Sequence, residues 1–116
     1  MRKVLGLFLA LPLCAAASDV RLPAAARQMD RDAVRSLLAS KADVNSAEPD
    51  GATALHWAVN QEDVETAALL VKAGANVKAA NRYGMTPLAL ACTNGNAMLV
   101  DMLVKAGADA NAALPG

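Results

Sequence analysis

The sequence predicts an all-α solenoid, a row of short helix pairs stacked side by side behind an apolar leader. Three observations carry that prediction. First, Gly51-Ala-Thr-Ala-Leu-His-Trp-Ala at 51–58 returns at 84–91 as Gly84-Met-Thr-Pro-Leu-Ala-Leu-Ala, and the run from Leu70 to Ala75 returns from Leu103 to Ala108. Both echoes have a period of 33 residues, the mark of units that cannot bury an apolar face alone and must stack on a neighbour. Second, Asp30, Asp63 and Asn96 keep the same 33-residue interval, each placed as an N-cap ahead of a helical pattern. Third, apolar residues make up 55% of the chain but aromatics only 3%, so the hydrophobic mass is Ala, Leu, Val and Met. Such side chains suit short helices whose backbones approach closely.

Length and charge narrow the class. At 116 residues there is room for one modest domain and a targeting segment. The formal net charge is +0 and no basic cluster occurs, so the electrostatic footprint of a nucleic-acid binder is absent and no nucleic-acid partner is expected. The body of the chain holds no run of about 18 apolar residues, so no membrane span is expected there.

Residues 1–17 read as a secretory signal peptide. Arg2 and Lys3 form the charged start, and Val4 to Ala16 an apolar stretch broken only by Gly6 and Pro12. Ala15, Ala16 and Ala17 supply the small residues a signal peptidase accepts. Cleavage is expected between Ala17 and Ser18, giving an exported protein, periplasmic or secreted, with no membrane attachment left. The apolar run is too short to span comfortably as an anchor. Lipidation of Cys14 would want a small residue before it, and Leu13 is not small. Loss of the leader leaves Cys92 as the one cysteine, and its apolar helical setting predicts a packed thiol rather than a reactive one.

Three units follow. Residues 18–47 form a degenerate first unit that caps the row. Leu22 to Gln28 is its first helix, and Ala33, Val34, Leu37 and Leu38 give its second the spacing of an amphipathic face. Ser18, Val20 and Lys41 stand where later units carry Gly, Thr and Gly, as befits a terminal repeat. Arg21, Arg27, Arg31 and Arg35 suit a solvated outer face. Residues 48–80 are the best-formed unit. Gly51 permits a tight turn, and Thr53 caps a helix from Ala54 to about Asn60. A second helix runs from Val64 to about Ala73, with Asp63 and Glu65 at its start, Lys72 at its end and Gly74 as its stop. Residues 81–113 repeat this, with Pro87 in the first helical turn, Gly95 between the helices, and Leu99, Val100, Leu103 and Val104 as the buried stripe. Residues 114–116 are a tail or the start of a further repeat. The last helix carries Leu99, Met102 and Leu103 with little polar replacement. Its outer face is therefore expected to continue into further repeats of a longer chain or to pack on something else.

The motifs Gly51-x-Thr53-Ala54-Leu55-His56-x-Ala58 and Gly84-x-Thr86-Pro87-Leu88-x-x-Ala91 resemble the ankyrin-repeat family. So do Leu69-Leu70-Val71-x-x-Gly74-Ala75-Asn76-Val77 and Met102-Leu103-Val104-x-x-Gly107-Ala108-Asp109-Ala110, while the first unit joins loosely through Leu37-Leu38 and Ala42-Asp43-Val44-Asn45. The resemblance covers essentially everything after the leader. It implies an ankyrin-repeat solenoid of antiparallel helix pairs, with β-hairpin-like loops projecting as fingers. It also implies partners that lie along those fingers and the first helices, the concave side. The chain departs from the family's pattern at Ala54, where proline is usual, at Ala89 for histidine, and at Glu62 for the inter-helix glycine.

Chemistry-bearing residues are few. His56 falls where the resemblance implies a structural histidine, bonded within and between loops, and no second histidine or cysteine accompanies it at metal-ligand spacing. Glu62, Asp63 and Glu65 sit at a helix start, where capping and the helix dipole explain them. No glycine pair has phosphate-cradle spacing, and no cofactor or metal is expected. Trp57, the sole tryptophan, fits a contact hot spot and partial burial between repeats equally well. The remaining partner-binding candidates are positions that repeat packing leaves free: Pro49, Asp50 and Ala52 in one finger, and Arg82, Tyr83 and Met85 in the next. Along the first helices they are Asn60, Gln61, Thr93 and Asn94. Arg82, Tyr83 and Met85 form the only local cluster of arginine, aromatic and methionine, types enriched in interface cores. The expected function is non-catalytic binding of another protein. Two other expectations compete: a segment of a larger exported protein packing on missing C-terminal repeats or a further domain, and an enzyme or enzyme inhibitor using His56.

Overall fold

The computed structural model describes residues 19–108; the leader with its cleavage site, Ser18 and the tail from Asp109 onward lie outside them. Among these residues there are six helices: α1 (Arg21–Arg27), α2 (Arg31–Ala39), α3 (Ala54–Asn60), α4 (Val64–Lys72), α5 (Pro87–Asn94) and α6 (Ala97–Lys105). Short turns fold each pair back on itself, so α1 packs on α2, α3 on α4, and α5 on α6. The first helices stack as one column, α1 on α3 on α5, and the second helices as another. Ala25, Ala58 and Ala91 hold the same register position in the three units and are all buried, which lets the helices approach closely. Larger side chains fill the space between columns: Leu22, Val34, Leu55, Leu70, Leu88, Leu99 and Leu103 are each no more than 2% exposed.

The helices begin where capping chemistry places them. Asp30, Asp63 and Asn96 accept the backbone N–H of Ala33, Thr66 and Leu99. Thr53 and Thr86 do the same for α3 and α5, but Val20 has no side-chain acceptor, and at α1 Asp19 accepts the Arg21 N–H at 3.1 Å instead. Between pairs the chain turns out into fingers. Glu48 N–H donates to Ala52 C=O at 2.9 Å and an antiparallel bridge joins Ala47 to Thr53. In the next finger Asn81 N–H donates to Met85 C=O at 3.0 Å. The fingers touch: Arg82 N–H donates to Asp50 C=O at 2.7 Å. Gly51 is required twice over, by its φ of +87° and by proximity, since a Cβ there would meet Asn81 Cα at 3.0 Å.

Two expectations need correction. The arginines of the first unit do not simply face water. Arg31 lies 2.9 Å from Asp63 and 3.3 Å from Glu65, Arg35 pairs with Glu65, and Arg27 reaches Glu48 at 2.6 Å. Only Arg21 stays within its own segment, on Asp19. The acids that start α4 lie beside α2 once the pairs stack, so cations at matching positions meet them.

The second correction concerns the last pair. Leu99 and Leu103 are fully buried inside it rather than presented outward, while Met98 is 64% and Val104 43% exposed. Cys92 is exposed, not packed. Ala26 and Val59 hold its register position in the earlier units and are fully buried because a further pair covers them. No described residue does that for Cys92.

The missing glycines do not change the path of the chain. Glu62 and Met29 keep φ of 58° and 57° where the third unit has Gly95, and Lys41 keeps 67° where later units have Gly74 and Gly107. Left-handed backbone costs a non-glycine residue about 1–2 kcal/mol, and stacking on a neighbouring unit over-determines these turns.

Asp63 is the most heavily bonded of the caps. Its Oδ1 accepts from Thr66 N–H and from Arg31, and its Oδ2 accepts the Thr66 hydroxyl at 2.7 Å. Burial alone would raise its pKa, but Arg31 and Thr66 outweigh that and hold it below the ordinary 3.8. Asp63→Ala is expected to cost about 2–3 kcal/mol in a urea melt at neutral pH, against about 1 kcal/mol for Asp30→Ala, which loses a cap alone. A depressed carboxylate pKa stabilises above its unfolded value, so the gap between wild type and Asp63→Ala should narrow as the pH falls below 3.8.

Candidate partner-binding surface

His56 stands in the first turn of α3 and faces the next finger. Its Nδ1 accepts the Thr53 N–H at 3.0 Å and lies 2.9 Å from the Thr53 hydroxyl, completing a reciprocal cap. A backbone N–H can only donate, so Nδ1 carries no proton; the proton is on Nε2, which donates to Met85 C=O at 2.9 Å. Burial pushes the imidazole below its ordinary 6.5, against the opposing pull of the Met85 carbonyl and the Asp50 charge. Both ring nitrogens are therefore committed. His56 is a strut between the α3 cap and the following finger, with no free lone pair for proton abstraction or a metal.

Trp57 belongs to the junction between the first two units. Its Nε1–H donates to Glu48 Oε1 at 2.8 Å, and the Arg27 guanidinium lies 5.4 Å from the ring centroid while pairing with the same carboxylate. Gln61 crosses the same junction, donating its amide to the Arg27 carbonyl, with its Oε1 buried and unpartnered among the described residues. Trp57 remains half-exposed at the edge of this knot. Neither Arg27 nor Glu48 belongs to a motif. Only tertiary contact brings residues 27, 48 and 57 together.

The finger candidates divide sharply. Pro49 is exposed and Asp50 half-buried, its Oδ1 accepting the Ala52 N–H at 3.0 Å. Ala52 is only 6% exposed, a correction to its place among the contact residues. It lies at the inward base of the hairpin, where side chains turn toward the first helices. Arg82 and Tyr83 project from the second finger, with Tyr83 69% exposed and the guanidinium 5.9 Å from its ring centroid. Met85 is half-buried. Along the first helices, Asn60, Thr93 and Asn94 are exposed, but the Thr93 hydroxyl donates to Ala89 C=O and the Asn94 amide to Asn60 C=O. The side chain of Asn60 makes no hydrogen bond among the described residues.

Among the described residues no three His, Cys, Asp or Glu side chains converge as a metal site requires, and no helix is long and apolar enough to cross a membrane. Helix pairs, linked fingers and polar groups spent on neighbouring units define a repeat scaffold built to present a surface. A family model for ankyrin repeats, in three copies, matches residues 22–113. The chain belongs to the ankyrin-repeat family, and ankyrin repeats make it a protein–protein interaction module. A comparison with curated proteins returned no match.

The sole histidine gives this scaffold a pH signature. Because the folded pKa is depressed, the unfolded chain binds the proton more readily, so stability is complete above 6.5 and lost as the pH falls below it. The melting temperature should drop between about pH 7.5 and 5, a window above the carboxylate range. In His56→Gln that slope should vanish, with stability about 1–2 kcal/mol lower at pH 7.5 from the lost bonds. Thermal melts across the series check both.

Proposed function

We propose that the chain is exported and binds a protein partner through its finger tips and the exposed side of its first helices, doing no chemistry of its own. The observation that carries this reading is the tip of the second finger. Tyr83, 69% exposed, stands beside Arg82, and neither side chain bonds to another unit among the described residues. Several other polar groups on this side are consumed in holding one unit to the next, as in the His56–Met85 and Asn94–Asn60 bonds. An unspent aromatic and arginine are the residue types that dominate binding energy at interfaces. The two committed nitrogens of His56 support a scaffold rather than a catalyst. Export rests on the leader at 1–17, with its charged start, apolar stretch and small residues before Ser18.

With residues 18–116 as bait, any partner captured from the exported fraction should lose at least about tenfold in affinity against Arg82→Glu/Tyr83→Ala, as expected when hot-spot residues are removed. Unchanged affinity would refute the finger assignment. The mature chain should begin at Ser18 by N-terminal sequencing; a chain recovered only with its leader intact would refute export by cleavage.

A further inference from the structure

We infer that the pocket between the finger bases and the first helices receives one basic side chain, arginine or lysine, from the partner segment. This rests on the concave side being the partner-facing side, and it adds what that side selects. The pocket is about 160 Å³. Asp50 comes from one finger and Asn81 from the next; Trp57 and Asn60 come from α3 and Leu90 from α5, with His56 and Ala52 buried beneath. Small-molecule sites run to roughly 300–1,000 Å³, so this one is sized for a single side chain.

Charge decides which kind. Asp50 spends one oxygen on the Ala52 N–H and, among the described residues, has no lysine or arginine within ion-pairing distance. Asp30, Asp43 and Glu62 are also without an ion pair among the described residues, but Asp50 alone of the acids lines this pocket. The nearby cations do not pair with Asp50: Arg27 is held by Glu48, and the Arg82 guanidinium lies out at the finger tip, 5.9 Å from the Tyr83 ring centroid. His56 beneath stays neutral and leaves the Asp50 charge uncompensated. The Asn60 amide oxygen is a second free acceptor. The Asn81 oxygen is already held by the N–H groups of Tyr83 and Met85, which fixes that wall. Trp57 and Leu90 supply apolar sides for a methylene stem, as long basic side chains require. An acidic side chain would meet Asp50 head-on. A neutral apolar one would cover the carboxylate without pairing it, which is costly.

The sole tryptophan lines the pocket and serves as its own reporter. Blocked tripeptides carrying arginine, lysine, citrulline, norleucine or glutamate between two glycines are titrated while Trp57 emission is followed. Arginine and lysine should give a saturable change, with the other three at least about tenfold weaker. Asp50→Asn, which keeps the acceptor for the Ala52 N–H, should weaken arginine at least about tenfold, while Asp101→Asn on α6 should not. Asn60→Asp, on the exposed rim, should tighten it, which provides a test should Asp50→Asn fail to fold. Equal response to citrulline, indifference to both pocket variants, or no saturable change up to about 20 mM would overturn the inference. Capture that depends on Arg82 and Tyr83 while the tripeptides fail would remove this inference alone and leave the finger reading standing.

Discussion

None of the six helices is long enough to persist by itself. Each has seven to nine residues, and isolated helices below about 12–15 residues are marginal in water even with favourable sequences. Their persistence comes from stacking, in which every pair buries its apolar face on the next. That requirement explains the small residues at matched register, Ala25, Ala58 and Ala91, and the close approach of the Gly51 backbone to Asn81. It also explains how Glu62 and Lys41 are held in left-handed turns that their side chains disfavour.

The two junctions meet this requirement with different chemistry. The first unit lacks part of the repeat's capping set and is joined to the second by charge, through Arg31 with Asp63, Arg35 with Glu65 and Arg27 with Glu48. The second is joined to the third by hydrogen bonds without ion pairs among the described residues, from His56 to the Met85 carbonyl, from Asn94 to the Asn60 carbonyl and from Asn96 to the Glu62 carboxylate. Both arrangements draw side-chain polarity inward along the stack. What stays unspent at the finger tips and in the hollow beneath them is therefore conspicuous, and it is available for recognition without loosening the scaffold.

The fold was largely legible because its information is local and repeated. Asp30, Asp63, Asn96, Thr53 and Thr86 each mark a helix start by side-chain chemistry acting within three residues. The period then multiplies every such signal. Exposure was less legible. Ala52 and Tyr83 are both finger residues, yet one is buried and the other projects, because the hairpin alternates its sides. Gln61 reads as a free polar group on a first helix, yet its amide is bound to the Arg27 carbonyl one unit away. Cys92 reads as a core thiol, yet lies where only a further covering pair would bury it.

By itself the sequence determined the period, the helix starts and the all-α class, since each follows from short-range capping, helical spacing or a motif repeated every 33 residues, while the structural role of His56 was implied by the resemblance alone. Only the tertiary structure decided which charges meet across a junction, which finger residues turn inward, and that Asp50, Asn60, Asn81, Trp57 and Leu90 enclose one hollow. The physical reason is that burial and pairing belong to the contact between units. Two sequences with the same repeat can place different side chains opposite one another, and the period alone does not say which.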